Sequence, residues 1–171
     1  ETVHGGALNN ALDGAGSGYD GQILRYDYTM GSFGFAVSIE DDADGATNAR
    51  DTGYAVGVKY SADMGGTGLD FGLGYQAVEE SAGVDATMIV GTVTASLAGG
   101  FTAGLQAAQY DSDTAANDYD YIGVGAGYSM DAISLHANWG QYDLDGGGEN
   151  TGYGLAAAYD LGGDASVHLG Y

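Results

Sequence analysis

The feature that most constrains this chain is a regular alternation of apolar residues with small or polar ones, seen clearly in the stretch DAISLHANWGQYD at positions 131–143. The apolar residues of that stretch share one parity: Ile133, Leu135, Ala137 and Trp139. The residues between them are small or polar: Ser134, His136, Asn138 and Gly140. Because successive side chains of a β-strand point to opposite faces, this period of two predicts a strand with one apolar face. The solvent that meets the apolar face then decides the fold.

Ten strand-like segments follow one another from residue 21 onward, each alternating or rich in Tyr, Val, Ile and Thr. They are predicted at 21–30, 33–40, 53–62, 69–78, 86–97, 101–110, 118–130, 132–142, 151–160 and 165–171. Short connections such as MGS and MDA alternate with longer acidic ones such as EDDADGATNARD, EESAGVD and LDGGGEN. This rhythm predicts antiparallel hairpins with tight turns at one end and long acidic loops at the other. Residues 1–20 lack the alternation and are predicted to be a loop or an irregular segment.

When the strand residues are sorted by odd or even position within each segment, one face of the predicted sheet is uniformly apolar and the other consists of small and polar residues. A soluble β-sandwich also alternates, but it normally places Lys and Arg on its wet face and protects its edges with Lys or Pro. This chain has three basic residues and no proline. Tyrosines of the apolar parity gather near the strand ends, as in the aromatic girdles of outer-membrane barrels: Tyr26, Tyr28, Tyr54, Tyr60, Tyr75, Tyr153 and Tyr159. The apolar face is therefore predicted to meet lipid.

The predicted fold class is all-β, an antiparallel up-and-down transmembrane β-barrel. Unpaired backbone groups in hydrocarbon cost several kcal/mol each, so strands in lipid must close on one another. No apolar run approaches the roughly 18 residues of a membrane-spanning helix, which excludes a helical membrane protein. The net charge of −21 argues against nucleic acid as a partner, because phosphate binding needs basic patches. The absence of cysteine excludes disulfides and thiolate metal sites.

Three stretches carry a family resemblance: LRYDYTMGSFGFAVSIEDD (24–42), TGYAVGVKYSADMGGTGLDFGLGYQAVE (52–79) and TGYGLAAAYDLGGDASVHLGY (151–171). They resemble the alphaproteobacterial, Rhodobacter-type general diffusion porins. The resemblance implies a homotrimer of 16-stranded barrels in the outer membrane of a Gram-negative bacterium, in contact with outer-membrane lipid and lipopolysaccharide. It also implies that this chain is a C-terminal-half fragment lacking the last strand. Residues 1–20 would then be the end of the pore-constricting loop, and residues 21–171 a meander of about ten strands. A complete ten-stranded barrel is the alternative.

The candidate pore-lining residues are polar-parity residues that carry charges or hydrogen-bonding groups: Arg25, Asp27, Lys59, Asp70, Gln106, His136, Asn138 and His168. The resemblance adds four constriction-loop residues: Glu1, His4, Asp13 and Asp20. If Arg25 and Lys59 face an acidic loop across the pore, they set a transverse field that filters solutes. The alternative is that both are solvated lumen charges without such a role.

Metal-binding and catalytic motifs are not evident. Each histidine lacks a partner at metal-ligand spacing, and DDADG at 41–45 lacks the glutamate that completes a twelve-residue calcium loop. Nothing resembles a nucleophile with its base or a phosphate-binding loop, so no enzyme and no cofactor are expected. Fifteen of the 24 acidic residues lie in or beside four longer connections, within 40–51, 79–85, 111–120 and 143–149, which predicts weak binding of divalent cations there.

The predicted function is passive diffusion of small hydrophilic solutes and ions through a water-filled barrel, with a preference for cations. One alternative is a Gly/Asp-rich calcium-dependent adhesin, although the nonapeptide repeats of such proteins are not visible. The other is an outer-membrane barrel that serves a structural role and conducts nothing.

Overall fold

The computed structural model describes residues 23–40, 52–81, 83–114, 116 and 118–171. Its ten strands are β1 (Ile23–Met30), β2 (Phe33–Glu40), β3 (Gly53–Asp63), β4 (Gly68–Ser81), β5 (Val84–Ser96), β6 (Phe101–Ser112), β7 (Tyr119–Met130), β8 (Ile133–Leu144), β9 (Glu149–Gly162) and β10 (Ala165–Gly170). Residues 1–20, predicted to be a loop, lie outside the described residues. Within the described ranges, no helix has the length and apolar composition needed to span a bilayer.

The ten strands form one sheet in sequence order, and each pairs antiparallel with the next. The short connections explain this order, because a parallel crossover needs a dozen residues or more. The turn between β1 and β2 has only two residues, and Gly31 adopts a φ of 58° there, as a two-residue hairpin turn requires. The predicted all-β antiparallel meander is thus confirmed. In the described part of the chain β1 and β10 do not pair with each other, so the sheet has two free edges.

Several strands extend further than the alternation predicts. The β4–β5 hairpin continues to Ser81 and resumes at Val84, with Glu79 opposite Asp85. Similarly, β8 runs to Leu144 and β9 begins at Glu149. The prediction of long loops at EESAGVD and LDGGGEN was therefore wrong, because backbone pairing continues past the apolar segments into acidic residues. Acidic residues show where a strand leaves its apolar surroundings, but the backbone hydrogen bonds between the paired strands continue beyond that point.

The register separates two faces, which we call the apolar face and the polar face. Side chains on the apolar face are widely exposed, for example Leu24 at 74 % and Leu155 at 55 %. Only five apolar residues in the described ranges are buried, and all lie on the polar face: Val78, Ala86, Met88, Ala108 and Tyr110. Along β6 the apolar face stays exposed while the polar face becomes buried, so the sheet curls toward its polar face. An apolar surface this large belongs in a nonaqueous environment.

Candidate pore-lining face

The eight pore-lining candidates of the sequence all lie on the polar face, as the strand registers show: Arg25, Asp27, Lys59, Asp70, Gln106, His136, Asn138 and His168. They do not form a single cluster. The first three gather over β1–β3, while the remaining ones are distributed from β4 to β10. The constriction-loop candidates Glu1, His4, Asp13 and Asp20 lie outside the described residues.

The charged group on β1–β3 surrounds a shallow cavity. Arg25 donates two hydrogen bonds to Asp27, from Nε to Oδ2 at 2.8 Å and from Nη2 to Oδ1 at 2.7 Å. Both side chains are more than half exposed, so this ion pair contributes little to stability. Lys59 lines the same cavity, with its aliphatic stem over Gly34. Asp27 neutralises the charge of Arg25 locally. In this group Lys59 is therefore the cation with the greater effect on passing ions.

Other predicted residues have modest partners. Ser61 donates to Asp70 across β3 and β4, with the two oxygens 2.5 Å apart. His168 Nε2 lies 2.9 Å from Ser166 Oγ. Gln106 differs from the rest, because it is only 1 % exposed and neither its Nε2 nor its Oε1 has a partner within the described ranges. Gln106 therefore lies on the polar face without reaching its surface, and we expect an ordered water at its amide.

A cluster of tyrosines also lies on the polar face, and the parity analysis missed it. Ring centroids are 5.0 Å apart for Tyr110 and Tyr119, 5.4 Å for Tyr119 and Tyr142, and 4.6 Å for Tyr121 and Tyr142. The buried Val78 and Met88 lie near one end of this cluster, where Tyr119 packs against them. The prediction of a small and polar face was therefore wrong over β4–β8. The signal was available, because Tyr119 and Tyr121 share their parity with the glycines of the same strand.

A row rich in glycine crosses the polar face from β1 to β9. From β1 to β9 the paired positions of this row are Thr29, Gly34, Lys59, Gly72, Thr92, Gln106, Gly123, Gly140 and Gly152. Five of these nine positions are glycine, and we call the row the glycine belt. Neighbouring side chains lie over four of these glycines, and only at Gly152 would an added Cβ meet nothing within 4 Å.

Carboxylates of the acidic connection between β6 and β7 accept hydrogen bonds from backbone amides of the neighbouring strands β5 and β6. Asp118 accepts a hydrogen bond from the Ser112 amide at 2.7 Å, and Asp113 accepts one from the Asp85 amide at 3.2 Å. In the part of the chain that the structure describes, no group of three or more His, Asp or Glu side chains is placed to hold a metal ion. The connection over DDADG lies outside the described residues.

The chain is similar to several known proteins. A family model described as Gram-negative porin matches residues 2–171. Among solved structures, a porin refined at 1.8 Å resolution superimposes with a TM-score of 0.71 at 24 % identity, over 88 % of this chain and 55 % of that one. A loop-deletion mutant of OmpT, an outer membrane protein of Vibrio cholerae, gives 0.59 at 19 % identity, over 87 % and 55 %. A double mutant of Rh. blastica porin also gives 0.59 at 19 % identity, over 86 % and 48 %.

These likenesses to solved structures establish the fold. The chain spans about half the length of the structures it matches. No curated protein sequence matches it.

Proposed function

This chain belongs to the Gram-negative porin family, and we propose that it forms part of the wall of a channel for passive diffusion of small hydrophilic solutes and ions. The family places the protein in the outer membrane of a Gram-negative bacterium, and its members are channels and not enzymes. Channel activity of the whole protein is our proposal, because the chain spans only about half of the porins it resembles.

The separation of the two faces is the observation that carries this proposal. Exposed aromatic and aliphatic side chains cover one face, such as Phe35, Leu73 and Trp139. In water that surface would be unfavourable at about 25 cal/mol per Å² of apolar area, whereas lipid removes the penalty. The opposite face carries charges, hydroxyls and glycines, which suit a wall in contact with water.

We further propose that the ten strands are part of a larger barrel. The free edges of β1 and β10 expose backbone N–H and C=O groups, which are strongly unfavourable in hydrocarbon unless other strands pair with them. The half-length coverage of the matched porins supports the same idea. The trimer implied by the resemblance is also a proposal, and the mass of the intact protein in mild detergent would test it.

The lumen is proposed to favour cations. The chain has a formal charge of −21, and Arg25 and Lys59 are the basic residues on the described polar face. Changing both to glutamate removes the charges that oppose cations locally, so we expect a larger cation-to-anion permeability ratio with little loss of stability. The measurement is the zero-current potential across a planar bilayer under a salt gradient. The preference should weaken as the Debye length shrinks toward about 3 Å at 1 M salt.

The matched control exchanges the same residues without changing their charge, as Arg25→Lys and Lys59→Arg. This control should keep the wild-type potential. Either single change makes the local charge more negative by the same amount, and Arg25→Glu also leaves Asp27 without its cation, so Lys59→Glu alone and Arg25→Glu alone should both raise the permeability ratio. A double glutamate variant with the wild-type potential would show that these residues are remote from the narrow part of the pore.

A further inference from the structure

We infer that Gly123 and Gly140 are positioning residues: because they lack side chains, the ring of Tyr121 can lie flat against the polar face. The position of this ring then sets the width of the passage there. This inference rests on the proposed channel function. It assigns a role to two glycines of the glycine belt and to one residue of the cluster of tyrosines.

The geometry is specific to these three residues. A Cβ built on Gly140 would lie 2.7 Å from the Tyr121 hydroxyl oxygen and 3.0 Å from Cε2. A Cβ built on Gly123 would contact the same hydroxyl and lie 2.8 Å from Cζ. The ring therefore occupies the space that side chains would take on its own strand and on β8. A ring this close to two backbones lies along the wall and does not project from it.

Adding a methyl group at either glycine removes this space. The contacting atoms belong to the free end of a side chain, so the ring can move while the strands stay paired. Tyr142 occupies one flank, with its ring centroid 4.6 Å from that of Tyr121. The backbone blocks movement outward, so we expect the ring to move away from the wall. The displaced ring would then stand in the passage.

Other side chains of the polar face lie over glycines in the same way. The stem of Lys59 lies over Gly34, and a Cβ there would be 2.8 Å from its Cγ. The amide of Asn138 lies over Gly154, where a Cβ would be 2.7 Å from Oδ1. Tyr121 is the largest of these side chains and rests on two glycines, so its displacement should affect the passage most.

The test compares single-channel conductance of the intact protein before and after Gly140→Ala. We expect a fall of roughly 10 to 30 %, because a ring enters an aqueous path whose conductance follows its free cross-section. Liposome swelling should slow more for a disaccharide than for a monosaccharide. The matched control is Gly152→Ala, in the same belt, where a Cβ would meet nothing within 4 Å. It should change both measurements much less.

Repeating the measurement in a protein that lacks the ring separates the role of the ring from any effect of the substitution on the backbone. In a Tyr121→Ala protein, Gly140→Ala should no longer lower the conductance. Gly123→Ala, on the neighbouring strand, should reproduce the loss and serves as the independent variant if Gly140→Ala folds poorly. The inference is overturned if Gly140→Ala and Gly123→Ala match Gly152→Ala, or if the loss persists without the ring. A wild-type protein that opens no channel would instead overturn the proposed function.

Discussion

Replacing Leu155 with arginine should destabilise the folded protein in a bilayer by about 2 to 4 kcal/mol, the range for a cation on the lipid face of a barrel near the bilayer midplane. Leu155 lies at the middle of β9, on the apolar face and 55 % exposed. Tyr153 and Tyr159 share that face and lie on either side of Leu155 along the strand. The measurement is denaturant-induced unfolding of the intact protein in lipid vesicles.

The next residue along the strand supplies the control. Ala156 is also exposed and lies on the polar face, so Ala156→Arg places the same charge at the same depth on the other side of the sheet. We expect that change to lower the free energy of unfolding by less than about 1 kcal/mol, because a lumen charge stays hydrated. Equally small losses for the two variants would show that both faces meet water, which would rule out a lipid-facing surface.

The number of strands, the antiparallel order of these strands and the division of the sheet into two faces could be predicted from sequence. A period of two is a local signal, and one parity error would have moved an entire strand to the wrong face. Leu135 and His136, for example, are on the faces that their parity predicts. Strand ends were less predictable, because the ladder beyond Val78 depends on pairing with β5 and not on apolar residues.

The aromatic part of the polar face was missed for a different reason. Tyrosine is common in the girdles of barrels, so tyrosines were expected on the apolar face. Tyr121 has the opposite parity, and the glycines beside it in sequence and across the ladder make room for its ring. A tyrosine among alternating glycines is therefore a signal of a ring lying on the backbone. The burial of Gln106 could not be predicted, since it depends on packing among several strands.

Whether each face meets water can be measured directly with single introduced cysteines, because the sequence contains no cysteine of its own. Single cysteines can be placed at consecutive positions of β8, as Ala137→Cys on the apolar face and Asn138→Cys on the polar face. A second pair on β2 is Val37→Cys and Ser38→Cys. Each of these substitutions is small, so each is expected to leave the fold unchanged.

The central claim is that the polar face lines a water-filled pore and the apolar face meets lipid. Its most direct test is the current through single channels of these four variants during addition of a small, charged, membrane-impermeant thiol reagent. We predict stepwise losses of current, on the order of tens of per cent, for Asn138→Cys and Ser38→Cys, and no change for Ala137→Cys and Val37→Cys. Losses at Ala137→Cys and Val37→Cys, with Asn138→Cys and Ser38→Cys silent, would contradict the account.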